Sequence, residues 1–163
     1  MQKFLFAVLT ITAVSAVGAE FKKDSIAIPA ADLKWEQPYG PQGPSIAIAS
    51  GDAKKGPVSY FMKFTPGYDS GWHTHDSWYS STVVKGTMTS QGQGDAAAVT
   101  LPTGSYFSEP GKKNHKNTCT ADSECIIFAF VEKGMTYTPK TADGKAPPKE
   151  APAAPAKKEE GKK

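Results

Sequence analysis

The segment GYDSGWHTHDSWYSSTVVKG, Gly67 to Gly86, holds two of the chain's three histidines, His73 and His75, at positions i and i+2. In an extended strand that spacing points both side chains to one face, their imidazole nitrogens a few ångströms apart. Two neutral imidazoles converging on one spot make half of a metal site. The third histidine, His115, closes a second glycine- and proline-bearing segment, GSYFSEPGKKNH, Gly104 to His115. If the two segments are neighbouring hairpins of one barrel, all three imidazoles face a single ion.

The surrounding chain supports a barrel. Short apolar or alternating runs recur about every ten residues between turn residues: 45–49, 58–64, 80–85, 87–91, 97–101, 105–109 and 125–132, with 116–120 as a further candidate. Val58, Tyr60 and Met62 alternate with Ser59, Phe61 and Lys63, as a strand with one buried face requires. CIIFAFVE, from Cys125, is a continuous apolar run, which predicts a central strand covered on both sides. Before these lie a short strand candidate at Ser25–Ile28 and a turn cluster, PYGPQGP. No stretch repeats its apolar residues at helical spacing. The pattern predicts an all-β sandwich or barrel.

The ends read differently. Residues 1–19 combine Lys3, an apolar run from Phe4 to Val17 and the small residues Gly18-Ala19, which predicts a cleaved secretory signal and a periplasmic or secreted protein. The apolar run is short of the ~20 residues of a membrane span. Residues 20–139 hold one domain, with eleven Lys against twelve Asp and Glu, a net charge of −1. Residues 140–163 carry seven Lys against four acids, with no aromatic and no branched apolar side chain, which predicts a disordered tail. The basic balance thus belongs to the tail. With no arginine anywhere and no basic bias in the domain, nucleic acid is excluded as a partner, and no membrane partner is expected after signal cleavage. Cys119 and Cys125 are the only cysteines; in an exported protein they read as a disulfide across the mouth of a hairpin, with a metal or redox pair as the alternative.

The two histidine segments resemble the paired motifs of the cupin superfamily, small double-stranded β-helix barrels of the jelly-roll type. Against G-x5-H-x-H-x3-4-E-x6-G, Gly67, His73, His75 and Gly86 match, while Tyr79 or Ser80 stands in the glutamate slot. Against G-x5-P-x-G-x2-H-x3-N, Gly104, Pro110 and His115 match, Lys112 replaces the inner glycine and Cys119 the final asparagine. The resemblance spans roughly Ser45 to Tyr137 and is similar in pattern to the zinc-binding cupins of anti-sigma factors. It implies His73, His75 and His115 as ligands of one divalent metal ion, iron, zinc, copper or manganese, with the fourth ligand open. It also implies a homodimer formed through the Ser25–Ile28 strand.

Three neutral imidazoles leave the charge of a divalent ion uncompensated, so such a centre attracts a small anionic or enolisable ligand and lowers the pKa of bound water. Tyr79 is a candidate ligand or hydrogen-bond donor, and Glu109 a candidate general base or partner of a ligating histidine. Asp76 is a further candidate ligand, set against an exposed turn carboxylate. Trp72 and Trp78 are candidates for a pocket wall, set against the core. The leading expectation is an exported metal-binding cupin with a small-molecule ligand, dioxygenase-like if it is an enzyme. The alternative is a non-catalytic sensing or binding module with a structural metal. A third reading is a metal-free carbohydrate- or wall-binding jelly roll, in which the histidines would diverge. No P-loop, dinucleotide or nucleophile-elbow motif is present.

Overall fold

The computed structural model describes residues 25–147; the expected signal, 1–19, and residues 148–163 of the expected tail lie outside them. The described chain folds into ten strands and one 3-10 turn at Ala30–Asp32. The strands are β1 (Ser45–Gly51), β2 (Val58–Phe64), β3 (His73–Thr74), β4 (Tyr79–Lys85), β5 (Thr87–Gly92), β6 (Val99–Pro102), β7 (Tyr106–Glu109), β8 (His115–Cys119), β9 (Cys125–Val131) and β10 (Thr138–Pro139). They form two five-stranded sheets of order β1-β2-β9-β4-β7 and β10-β3-β8-β5-β6, every pairing antiparallel. This is the jelly-roll barrel expected.

The inner faces of the two sheets meet in one core. Ile46, Val58, Tyr60, Phe64, Val83, Ile127 and Val131 from the first sheet pack with Met88, Leu101 and Cys119 from the second. On β2 the alternation holds at Val58 and Tyr60, which are buried, while Met62 on the same face is only partly so, like Ser59, Phe61 and Lys63. Strand β9 is central but not covered on both sides. Cys125, Ile127, Ala129 and Val131 are buried, while Ile126, Phe128 and Phe130 on the outer face remain partly exposed. Those outer rings find aromatic partners, Phe128 with Phe61 on β2 (centroids 5.0 Å apart) and Phe130 with Trp78 just before β4 (6.4 Å).

Three further expectations change. Ser25–Ile28 forms no strand, and Ile26 and Ile28 are exposed; an extended segment needs a neighbour to take its backbone groups, and none pairs with it here. The disulfide between Cys119 and Cys125 does form, but not across a hairpin. Cys119 ends β8 in one sheet and Cys125 begins β9 in the other, so the bond ties the two sheets together at a fully buried point. Contacts with the barrel also run past Pro139, into the segment expected to be disordered tail. The Lys140 N–H donates to Trp72 O (2.8 Å), and Asn114 Nδ2 donates to Thr141 O (3.0 Å), holding the first tail residues against the barrel.

Candidate metal centre

The three histidines come together because β3 and β8 are neighbours. In that pairing His73 lies directly opposite His115, and their ring centroids are 4.3 Å apart. His75, just past the end of β3, turns its ring edge-on to His73 at 4.8 Å. A turn before β8 sets the register. The Lys112 N–H donates to His75 O (2.6 Å), and Lys112 is the only non-glycine among the described residues with positive φ, 64°. The resemblance puts a glycine at this position, and the backbone still adopts the left-handed conformation a glycine would take freely. Gly86, which closes the first motif, is required outright: its φ is +79°, and a Cβ there would sit 2.6 Å from Glu124 O.

The hydrogen bonds of the rings assign their tautomers. His73 Nδ1 donates to Gly71 O (2.9 Å), His115 Nδ1 donates to Lys113 O (2.9 Å), and His75 Nδ1 donates to Thr136 O. With each Nδ1 committed as a donor, each neutral ring carries its lone pair on Nε2. The Nε2 atoms of His73 and His75 stand 3.1 Å apart, and the ligand atoms of all three histidines lie within 4.8 Å of one another. Burial keeps the rings neutral. It pulls the His73 imidazole down to about 3 and the His75 imidazole to about 4, and lowers His115 as well, against the opposing pull of the carbonyl bonds.

The other candidates separate cleanly. Tyr79, buried in the glutamate slot, places its hydroxyl 3.1 Å from His115 Nε2 and accepts a bond from Asn117 Nδ2 at 3.1 Å. Burial pushes its phenol well above the ordinary range, so it stands as a neutral O–H donor to His115. Glu109 is buried but does not reach the histidines. Ser90 Oγ donates to it (3.4 Å), and burial raises its carboxyl. Asp76 is exposed on a turn, its N–H bonded to Thr136 Oγ1 (2.8 Å), and contributes no ligand atom to the cluster. Neither tryptophan lines the site or the core: Trp78 is exposed against Phe130, and Trp72 lies on the outside near the Lys116 ammonium.

His73 and His75 open onto a cavity of about 340 Å³ inside the barrel. Its walls carry Tyr39, Tyr60, Tyr68 and Tyr137 with Met62 and Met135, and among the described residues no lysine, aspartate or glutamate lines it. Part of the wall is a strap, Met135 to Pro139, that the strand pattern did not mark. Tyr137 stacks on His73 at 4.6 Å and donates its O–H to Ser70 O (2.6 Å), while β10 pairs with β3. An aromatic two residues after Gly134-Met135 was the one available signal. Asn117 was also missed: it sits two residues beyond His115 on β8, and its Oδ1 is buried with no hydrogen-bond partner among the described residues.

The donor set fits a metal ion. Three imidazole nitrogens without protons converge, and a 3.1 Å gap between two of them is the separation of two ligands sharing one ion at ~2.0–2.1 Å each. Without a cation, the facing lone pairs repel.

Comparisons with known proteins agree with this fold. No curated protein matches the sequence. Among solved structures, KdgF from Halomonas sp. superposes with a TM-score of 0.54 at 18% identity, covering 67% of this chain and 94% of its own. An RmlC-like cupin from Shewanella frigidimarina gives 0.55 at 16%, covering 70% and 94%. The anti-sigma ChrR of Rhodobacter sphaeroides, solved with SigE, gives 0.50 at 15%, covering 64% of this chain and 51% of that one. Residues 19–154 match a family described as a domain of unknown function, DUF4437. The chain therefore belongs to the DUF4437 family and has the fold of the cupin superfamily.

Proposed function

We propose that His73, His75 and His115 hold one divalent metal ion through Nε2, and that the protein is an exported metal-binding cupin receiving a small ligand at this centre. One observation carries the reading. Every Nδ1–H is committed to a backbone carbonyl, leaving three unprotonated Nε2 atoms within 4.8 Å of one another in a buried site. Such carbonyl bonds orient ligating histidines and raise their basicity. Zinc, iron, copper and manganese all accept imidazole ligands. Export is supported by the paired cysteines, since a disulfide persists in an oxidising compartment.

When bound, such an ion supplies Lewis-acid polarisation of an oxygen donor and, for a redox metal, dioxygen chemistry. The chain's own residues supply the setting. Neutral rings leave the positive charge uncompensated, which favours an anionic oxygen donor, and no lysine in the cavity competes for it. Tyr79 and Asn117 place a hydroxyl and an amide beside His115, within reach of an oxygen ligand. The open approach from the cavity favours metal-dependent catalysis, and the resemblance of the three-histidine pattern to cupin dioxygenases favours the oxygenase type among such chemistries. The non-catalytic reading rests on a different observation, the Tyr79 hydroxyl 3.1 Å from His115 Nε2, which as a fourth donor would close the centre.

Elemental analysis of the mature protein, beside a His73→Ala/His115→Ala variant, tests the proposal. About one equivalent of metal, lost in a variant that keeps its fold, is the expected result. A wild-type protein that neither carries nor takes up any divalent metal would leave a metal-free barrel.

A further inference from the structure

We propose that the ligand of this centre is a hydroxylated aromatic ring, a phenol or catechol, with its oxygens at the histidines and its ring between the tyrosine and methionine walls. The inference rests on the metal-centre reading above and names the chemical class that the cavity selects. Four observations point the same way. The cavity, about 340 Å³, is within the range that takes a ring with substituents, and a two- or three-carbon acid would leave most of it filled with water. Its walls are built of Tyr39, Tyr60, Tyr68, Tyr137, Met62 and Met135, flat rings and polarisable thioethers that pack against an aromatic face.

Among the described residues no charged side chain lines the cavity, so a ligand with a second carboxylate would be buried without a partner. His73 and His75 themselves line the cavity, with Tyr79 and Asn117 beside them. A phenolic oxygen there faces the metal while its ring lies against the tyrosine and methionine walls, and its negative charge meets the charge that three neutral imidazoles leave uncompensated.

The probes are 4-nitrocatechol, read by its absorbance change, and oxalate as an aliphatic chelator, read by calorimetry. Both are titrated into zinc-loaded and metal-free protein at pH 7.5. Tyr39→Ala, at the partly exposed rim, and Met135→Ala, on the strap, are compared with the wild type at verified zinc content. The expected result is that each variant loses fivefold or more in 4-nitrocatechol affinity while its oxalate affinity stays within twofold. Oxalate binding more tightly than 4-nitrocatechol, or variants that weaken both probes equally or neither, overturns the aromatic assignment while the metal centre stands. If the wild type takes up neither zinc nor any other divalent metal, the metal reading fails instead, and the metal-free titration decides the cavity. Retained 4-nitrocatechol binding that Tyr39→Ala weakens supports the aromatic site, and absence of binding overturns it.

Discussion

The cavity has a floor and a wall, and they are built in opposite ways. The floor comes from adjacent strands: His73 faces His115 across one ladder, and each ring is steered by a carbonyl only two residues away. The wall comes from remote pieces, with Tyr39 before β1, Tyr60 on β2, Tyr68 before β3 and Tyr137 on the strap after β9. His75 joins the two, because its Nδ1 donates to Thr136 O, sixty-one residues along the chain. A floor set by local geometry keeps its donors in place whatever the wall does. A wall of side chains from four segments is the part free to set which ligand enters.

Breaking the floor is expected to have the largest effect. His115→Ala removes a fully buried member of the proposed ligand set and should weaken zinc binding by well over ~100-fold, more than loss of an orienting partner costs. Competition with a chromophoric chelator measures it, and a drop below tenfold would show that His115 is not a ligand.

Acid separates the floor from the wall without mutation. In the metal-free protein His73 and His75 titrate at about 3 and about 4, below the ~6.5 of an unfolded chain. The unfolded chain therefore takes up protons first as pH falls. The stability tied to the neutral rings is full above pH ~6.5 and is lost progressively toward pH ~4, at up to ~1.4 kcal/mol per pH unit for each ring. Glu109, raised by burial, acts in the opposite sense, protonating in the folded chain first, and offsets the low end of that range. Urea midpoints at pH 7.5, 6.0 and 4.5 read the slope; a flat profile would mean that the rings are not held neutral.

The disulfide joins the strand that carries His115 to the central strand that carries Ile127 and Val131 of the wall. Removing it as Cys119→Ser/Cys125→Ser is expected to cost about 2 kcal/mol through the freed loop. The urea midpoint should fall accordingly, with zinc stoichiometry unchanged because no ligand bond runs through it.

Tyr79→Phe tests where the floor ends. The change deletes the O–H donated to His115 and the acceptor of Asn117, and should cost about 1 kcal/mol of stability. Zinc affinity is expected to stay within threefold or to tighten, because His115 Nε2 no longer serves as an acceptor. A tenfold loss would instead make Tyr79 a ligand and favour the closed, structural centre.

The smallest effect lies in the turn that leads into β8. Lys112 holds φ 64° where an L-residue is strained by roughly 1–2 kcal/mol, so Lys112→Gly should gain up to about 1 kcal/mol after the entropy cost of glycine. Thermal unfolding would show it, with metal binding untouched.

Much of the barrel was legible because strand signals are local. Alternation on β2, turn residues every ten positions and the two spaced motifs each depend on neighbours in sequence, and all but the two-residue β3 and β10 were marked as strands. The outer face of β9 was misread for a physical reason: Ile126, Phe128 and Phe130 are apolar but stay partly exposed, Phe128 and Phe130 each meeting a single neighbouring ring. The disulfide was marked as a pair but not as a bond between sheets, since six residues of separation look like one hairpin whichever sheets the strands join.

By itself, the sequence determined an all-β barrel, a converging set of three histidines and a cysteine pair, because spacing along strands and turns dictates which side chains share a face. Only the tertiary structure decided that Tyr79 caps His115, that Glu109, Asp76 and both tryptophans stand apart from the centre, and that the cavity is walled by tyrosines without charge. Those facts depend on which remote segments the closed barrel brings together, and no local pattern encodes the partner across a cavity.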